Sequence, residues 1–310
     1  MLLNGKKTKN QLTMKPFVKW AGGKTRLLKE IEQRLPADFD TWEDVVYVGP
    51  FVGGGSVLFH MLKKHNNISK AVINDINPVL MHAYQKIKQA PMSIMDTLVA
   101  LRNEYNGISA DKTREEFYYR VRKTFNEMRF EDEQKVAFFI FLNHTCFNGL
   151  YRENRSGDFN VPHGRYKSPS IFEEENIMTL HNALQKVEIN CGDFAEIWNS
   201  LENNPTFIYI DPPYRPISKQ VTMFTLYDKS GFTDFDQLRL KEICDIFGNR
   251  GCRIMLSNSD SYDEDISYFE NLYNNGYHIS RVEVTRMINP YNSKNRKPKE
   301  VIITNYQPPQ

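Results

Sequence analysis

The run Phe207-Ile208-Tyr209-Ile210-Asp211-Pro212-Pro213-Tyr214 sets the fold class of the chain. Its first four residues are apolar, and β-branched or aromatic, which is the pattern of a strand covered on both faces. Two prolines then forbid further ladder bonding, so the strand stops and presents Asp211 and Tyr214 at its carboxyl end. Open α/β sheets bind ligands in the crevice outside those ends. A carboxylate beside a flat ring suits a planar group that carries an amine. The plainer alternative is a strand followed by a Pro-Pro turn capped by Asp211.

On either side of this run the pattern repeats. Val187–Cys191 reads as a strand ending at Gly192-Asp193-Phe194, Phe235–Phe247 as a helix, and Arg253–Asn258 as another strand. Residues 277–284 and 300–306 supply two final strands, joined by a basic stretch around Asn289-Pro290-Tyr291. Nearer the N-terminus, Val45–Val48 and Ala71–Asp75 are short strands, and Thr25–Leu35 has helical periodicity. Single strands alternating with helices predict an α/β, doubly wound sheet.

Two glycine-rich turns sit on this frame. Gly22-Gly23-Lys24-Thr25 invites a phosphate-loop reading, but that motif needs glycine where Val18 stands, and no apolar strand precedes it. Gly53-Gly54-Gly55-Ser56 follows the first strand and lets backbone approach a ligand closely. Leu58 replaces the third glycine of a dinucleotide fingerprint. Asp75 ends the next strand, about 20 residues past Gly55, where an acid can accept from both ribose hydroxyls. These features fit a nucleoside without a pyrophosphate, as in S-adenosylmethionine (SAM). A glycine turn beside a surface aspartate is the alternative.

Residues 79–145 change character. Leu80–Gln89, Met92–Tyr105, Arg114–Met128 and Asp132–His144 are helical patterns without strand runs, as in an inserted subdomain. The stretch Asn143–Tyr166 follows, with two short segments around Asn154-Arg155-Ser156-Gly157-Asp158, and it predicts a hairpin-like loop. Its arginines and aromatics interleave as in a groove-reading element. His144 and His163 lack nearby acid or cysteine patterns and read as structural.

Composition narrows the class. The net charge is +2, and 40% hydrophobic with 25% charged residues is ordinary for a globular protein. No apolar run approaches the roughly 18 residues of a membrane span, and the N-terminus lacks a secretory apolar core. The four cysteines show no CxxC spacing, which argues for reduced thiols and against zinc. Basic clusters at 152–167 and 281–299 fit phosphate contacts or plain solvated loops.

Taken together, KWAGGK, PFVGGGS, the strand ending in Asp75, NGLYR, FNVPHGRY and DPPY occur in the order seen in Dam-like DNA adenine-N6 methyltransferases of the alpha group. The chain resembles that family from Met14 to Tyr306. The resemblance implies a Rossmann-like, SAM-dependent methyltransferase sheet with an inserted helical and hairpin target-recognition domain. It divides the chain into a flexible leader (1–13), a catalytic domain (14–80 and 173–310) and the insert (81–172). It assigns Trp20, Lys24, Gly53, Gly55, Asp75, Asp193, Phe194 and Asp211 to the cofactor, with Lys24 near its carboxylate. Asp211, the Pro212 carbonyl and Tyr214 become catalytic: the first two accept the target amine's hydrogens, and the ring stacks on a flipped base. No metal is needed.

By the same resemblance Phe147, Asn148, Leu150, Arg152, Pro162 and Arg165 meet DNA, and GATC is the first target to test. Phe224, Tyr227 and Phe232 lie in a loop that either closes over the base or packs on the sheet. The implied partner is double-stranded DNA, with a cognate restriction endonuclease left open, a monomer as the default and a cytoplasmic, bacterial or phage setting. An RNA or protein methyltransferase on this fold, or a silent DNA-binding relative, are the competing readings. Asp211 and the arginine-bearing hairpin count against the first, and the intact cofactor motifs against the second.

Overall fold

The computed structural model describes residues 13–197, 204–214, 232–260, 268–283 and 299–309. Among them, seven strands form one sheet: β1 (Val45–Gly49), β2 (Ile68–Asp75), β3 (Val187–Cys191), β4 (Thr206–Ile210), β5 (Arg253–Ser259), β6 (His278–Glu283) and β7 (Lys299–Thr304). Their order is β3-β2-β1-β4-β5-β7-β6. All neighbouring pairs from β3 to β5 are parallel, whereas β7 runs antiparallel to both β5 and β6. The chain moves outward from β1 through β2 to β3, then returns to start β4 on the other side of β1. That reversal opens a crevice at the carboxyl ends of β1 and β4.

The sheet is covered on both faces, as the opening run predicts. Val45, Tyr47, Phe207 and Tyr209 join one core, while Val46, Val48, Ile208 and Ile210 join another. This is the two-residue alternation of a pleated strand. Full burial of each such side chain stabilises the fold by about 1.5–3 kcal/mol.

The helices are α1 (Leu28–Gln33), α2 (Ser56–Lys64), α3 (Pro78–Gln89), α4 (Pro91–Gly107), α5 (Asp111–Glu127), α6 (Glu133–Thr145), α7 (Glu174–Leu184), α8 (Asp234–Asn249) and α9 (Tyr268–Leu272). Asn77 caps α3 by accepting from the Leu80 amide, with Pro78 at the first helical position. Thr233 and Asp236 form a reciprocal capping box on α8. The helix expected over 25–35 is shorter, because residues 25–27 are in turns before α1 begins. Helix α7 was not expected, although Ile177, Leu180 and Leu184 carry its buried stripe.

Helices α4, α5 and α6 pack on one another, and α3 packs on both the sheet and α7. The boundary expected at residue 80 therefore falls inside α3. After α6 the chain forms the expected hairpin-like element, with antiparallel bridges Cys146–His163 and Glu153–Phe159. Asn126 of α5 holds it by exchanging hydrogen bonds with both the amide and the carbonyl of Phe159. The Tyr118 hydroxyl donates to the Val161 carbonyl at 2.8 Å.

Candidate active site

Asp211 follows β4 directly and reaches into the crevice. Its Oδ2 lies 2.7 Å from Lys24 Nζ, and Ser257 of the neighbouring strand β5 donates to Oδ1 at 3.2 Å. The Tyr209 hydroxyl stands 2.9 Å from Ser257 Oγ. Because Ser257 gives its proton to Asp211, Tyr209 donates to Ser257, and the three form a directed chain. Burial raises the Asp211 carboxyl above the usual aspartate range; Lys24 opposes that rise, and the nearby Glu300 carboxylate adds to it.

Lys24 is only 5% exposed. Its ammonium also donates to the Gly22 carbonyl at 2.6 Å and lies 4.5 Å from the centroid of the Tyr214 ring. A cation over an aromatic face is an attractive arrangement. Tyr214 in turn donates its hydroxyl to Glu300 Oε2 at 2.7 Å. Burial, then the Asp211 and Glu300 carboxylates, push this phenol above the ordinary tyrosine range, so it stays a donor.

The glycine turn lies at the other strand end. Gly53 and Gly55 have φ of 49° and 78°, the left-handed region that disfavours side chains. A Cβ on Gly55 would overlap the Tyr84 hydroxyl and the Phe59 ring, so this position has no room for one. Asp75 Oδ2 accepts from the Gly53 amide at 3.0 Å, and Oδ1 accepts from the Asn77 amide at 3.0 Å. Tyr84 closes the turn by donating to the Gly53 carbonyl at 2.9 Å.

Trp20 packs against Gly53 and Gly54 and stacks on Tyr151 of the hairpin, with centroids 5.6 Å apart. Asp193 pairs with Arg239 of α8 at 2.9 Å. Phe194 is buried against Phe51 and Phe232, with the Arg239 guanidinium 4.9 Å from its ring centroid. Phe232 thus packs beside the sheet, while Phe224 and Tyr227 lie outside the described residues, as does most of the basic stretch before β7. Arg281 of β6, from that stretch, is paired with Asp260 and Glu270.

The six residues expected at DNA all sit on the hairpin-like element. Phe147, Asn148, Arg152, Pro162 and Arg165 are exposed, and Leu150 is half-buried. The Phe147 amide donates to the Pro162 carbonyl at 2.9 Å, which places the two segments side by side. Arg152 Nε donates to Asn160 Oδ1 at 2.6 Å, and Arg165 contacts Glu115 at 3.3 Å. Asn148 and Arg165 have φ of 55° and 54°. The Tyr166 hydroxyl, a further member of the element, accepts from the Asn148 amide at 3.0 Å.

Sequence reading missed Ser257, Glu300 and Asn143. Asn143 is buried at the end of α6; its side chain accepts from the Lys19 amide at 2.7 Å and donates to the carbonyls of Lys19 and Gly149. It thereby ties the segment before Lys24 to the hairpin. A lone asparagine in an apolar helix was the available signal.

The strand order, the crevice at the β1–β4 reversal and an acid ending β4 define a methyltransferase-like α/β protein. The chain belongs to the D12 class N6 adenine-specific DNA methyltransferases, whose family pattern matches residues 20–288. It is 43% identical over 298 residues to the Type II methyltransferase M.MjaIII of Methanocaldococcus jannaschii, across 95% of this chain and all of that protein. The Type II methyltransferase M1.LlaDCHI of Lactococcus lactis is 33% identical over 303 residues, covering 96% of this chain and 98% of its own. The DNA adenine methylase of Haemophilus influenzae is 31% identical over 295 residues, covering 95% and 94%. The protein is an adenine-specific DNA methyltransferase.

Proposed function

We propose that this enzyme takes its methyl group from SAM and delivers it to N6 of an adenine flipped out of double-stranded DNA into the slot between Asp211 and Tyr214. The observation that carries the reading is the position of Lys24. A cationic nitrogen donor rests between a carboxylate and an aromatic face, 2.7 Å from Asp211 Oδ2 and 4.5 Å from the Tyr214 centroid. An adenine amine meets the same two groups when its ring stacks on Tyr214.

The cradle suits the cofactor. Gly22, Phe51, Val52, Gly54 and Ser56 line the crevice next to Lys24 and Asp211. Asp75 stands at the carboxyl end of β2, and a carboxylate's several acceptor positions suit ribose hydroxyls. Trp20, Asp193 and Phe194 flank the same crevice in this reading. When bound, the cofactor supplies an electrophilic methyl group.

The protein's own part is positioning. Asp211 and the Pro212 carbonyl accept the two N6 hydrogens and localise a lone pair that the purine ring otherwise delocalises. Ser257 and Tyr209 hold the Asp211 carboxylate in plane through oriented hydroxyls, so little reorganisation accompanies the reaction. As the amine docks, Lys24 releases Oδ2 and turns toward the cofactor's carboxylate, the role that family resemblance gives it.

The insert, α4–α6 with the hairpin-like element, reads the DNA. Arg152 and Arg165 are the arginines suited to bidentate contact with guanine, and Phe147 and Asn148 fill or border the space that the flipped base leaves. GATC is the proposed target, and a restriction endonuclease the proposed counterpart. Expression in a host lacking adenine methylation, followed by sequencing with modified-base detection, tests these points together. N6-methyladenine confined to GATC is the expected result. Methylation at another motif overturns the target, and unmethylated adenine throughout overturns the reaction.

A further inference from the structure

We infer that Glu300, on the antiparallel strand β7, is a positioning residue for Tyr214: its carboxylate sets the plane of the ring on which the target base stacks. The inference rests on the reading of Tyr214 given above.

Glu300 is 7% exposed, and the Tyr214 hydroxyl donates to its Oε2 at 2.7 Å. No other side-chain partner of Glu300 is found among the described residues. A buried polar side chain left without a hydrogen bond is costly, so the Tyr214–Glu300 bond holds both groups in place. The sheet does not depend on this side chain, because the Glu300 backbone pairs with Ser259 of β5 and Val282 of β6. What the carboxylate does hold is the far end of the tyrosine.

Fixing a phenol at its hydroxyl removes the ring's freedom to swing about its two side-chain torsions. Tyr214 is anchored at one end by the Pro-Pro backbone and at the other by Glu300, and Lys24 faces the ring between them. The ring is therefore held in place before any base arrives, so docking does not have to order it. The same bond occupies Glu300. Asp211 and Glu300 are close enough to raise the Asp211 carboxyl electrostatically, and with Glu300 engaged by the phenol, Asp211 is left to meet the incoming amine.

The test measures single-turnover methyl transfer, DNA affinity by gel shift, thermal unfolding, and fluorescence of 2-aminopurine at the target position. Glu300→Ala is expected to slow transfer about tenfold or more, since it strands a buried hydroxyl, and to alter the 2-aminopurine signal, with DNA affinity within about twofold. Glu300→Gln keeps an acceptor and is expected to recover most of the rate. Tyr214→Phe should slow transfer comparably, and the double variant Tyr214→Phe/Glu300→Ala should be no slower than the slower single variant. Full activity of Glu300→Ala, additive losses in the double variant, or equal loss of stability and activity in the Ala and Gln variants each overturns the inference. Absence of transfer by the wild-type enzyme would instead overturn the reading of the site itself.

Discussion

The strands on either side of β1 each lead into an aspartate at the crevice, and the two are held in opposite ways. Asp75, at the end of β2, is clamped by backbone amides of Gly53 and Asn77. Asp211, after β4, is clamped by side chains, the Lys24 ammonium and the Ser257 hydroxyl. Amide donors belong to the chain's path and stay put, so Asp75 is a fixed acceptor and also a brace for the glycine turn. Side-chain donors can leave, so Asp211 can exchange Lys24 for another amine. Rigid backbone suits a cofactor site, and exchangeable partners suit the place where substrate enters and product leaves.

The largest effect should come from removing the exchangeable acid. Asp211→Ala is expected to reduce single-turnover methyl transfer by about 10³ while the protein remains folded by circular dichroism. A loss of less than tenfold would show that the two acids do not differ as argued. Asp75→Ala should act on cofactor affinity, which calorimetry should find weakened by roughly 10–100-fold, at a cost to transfer of only a few-fold when cofactor saturates. A matching collapse of the saturated rate would mean that Asp75 serves the chemistry too.

The smallest effect concerns pH. Burial raises the Asp211 carboxyl, so its ionised form is present above that raised pKa and is lost as pH falls through it. The acid limb of kcat/KM, which reports the free enzyme with Lys24 still on Asp211, should therefore lie above the ordinary aspartate value of about 3.9. Lys24 opposes the rise, so Lys24→Met should move the limb to still higher pH. A limb at or below the ordinary value would indicate that the ion pair dominates burial.

Much of this was legible in the residues. Runs such as Val45–Val48 and Phe207–Ile210 are local statements, because two-residue alternation with covered faces depends on neighbours in sequence. Helices α3–α6 and α8 were legible for the same reason. Helix α7 is hard to read although its stripe is present, since Glu173–Asn176 and Thr179 interrupt the apolar signal with polar residues. The antiparallel course of β7 was not readable, because strand direction depends on a connection through residues 284–298 whose composition is merely basic.

The sequence alone determined the strands, the acids and glycines at their ends, and, through the order of its motifs, the family. Tertiary structure alone decided who holds each acid. Ser257 is 46 residues from Asp211, Glu300 is 86 from Tyr214, and Lys24 belongs to the turn before α1. These partners meet because β4, β5 and β7 lie side by side in the sheet. Adjacency of strands is set by packing the whole sheet between its two cores, and no local pattern encodes it. The slot between Asp211 and Tyr214 is thus written at one strand end and completed from two others.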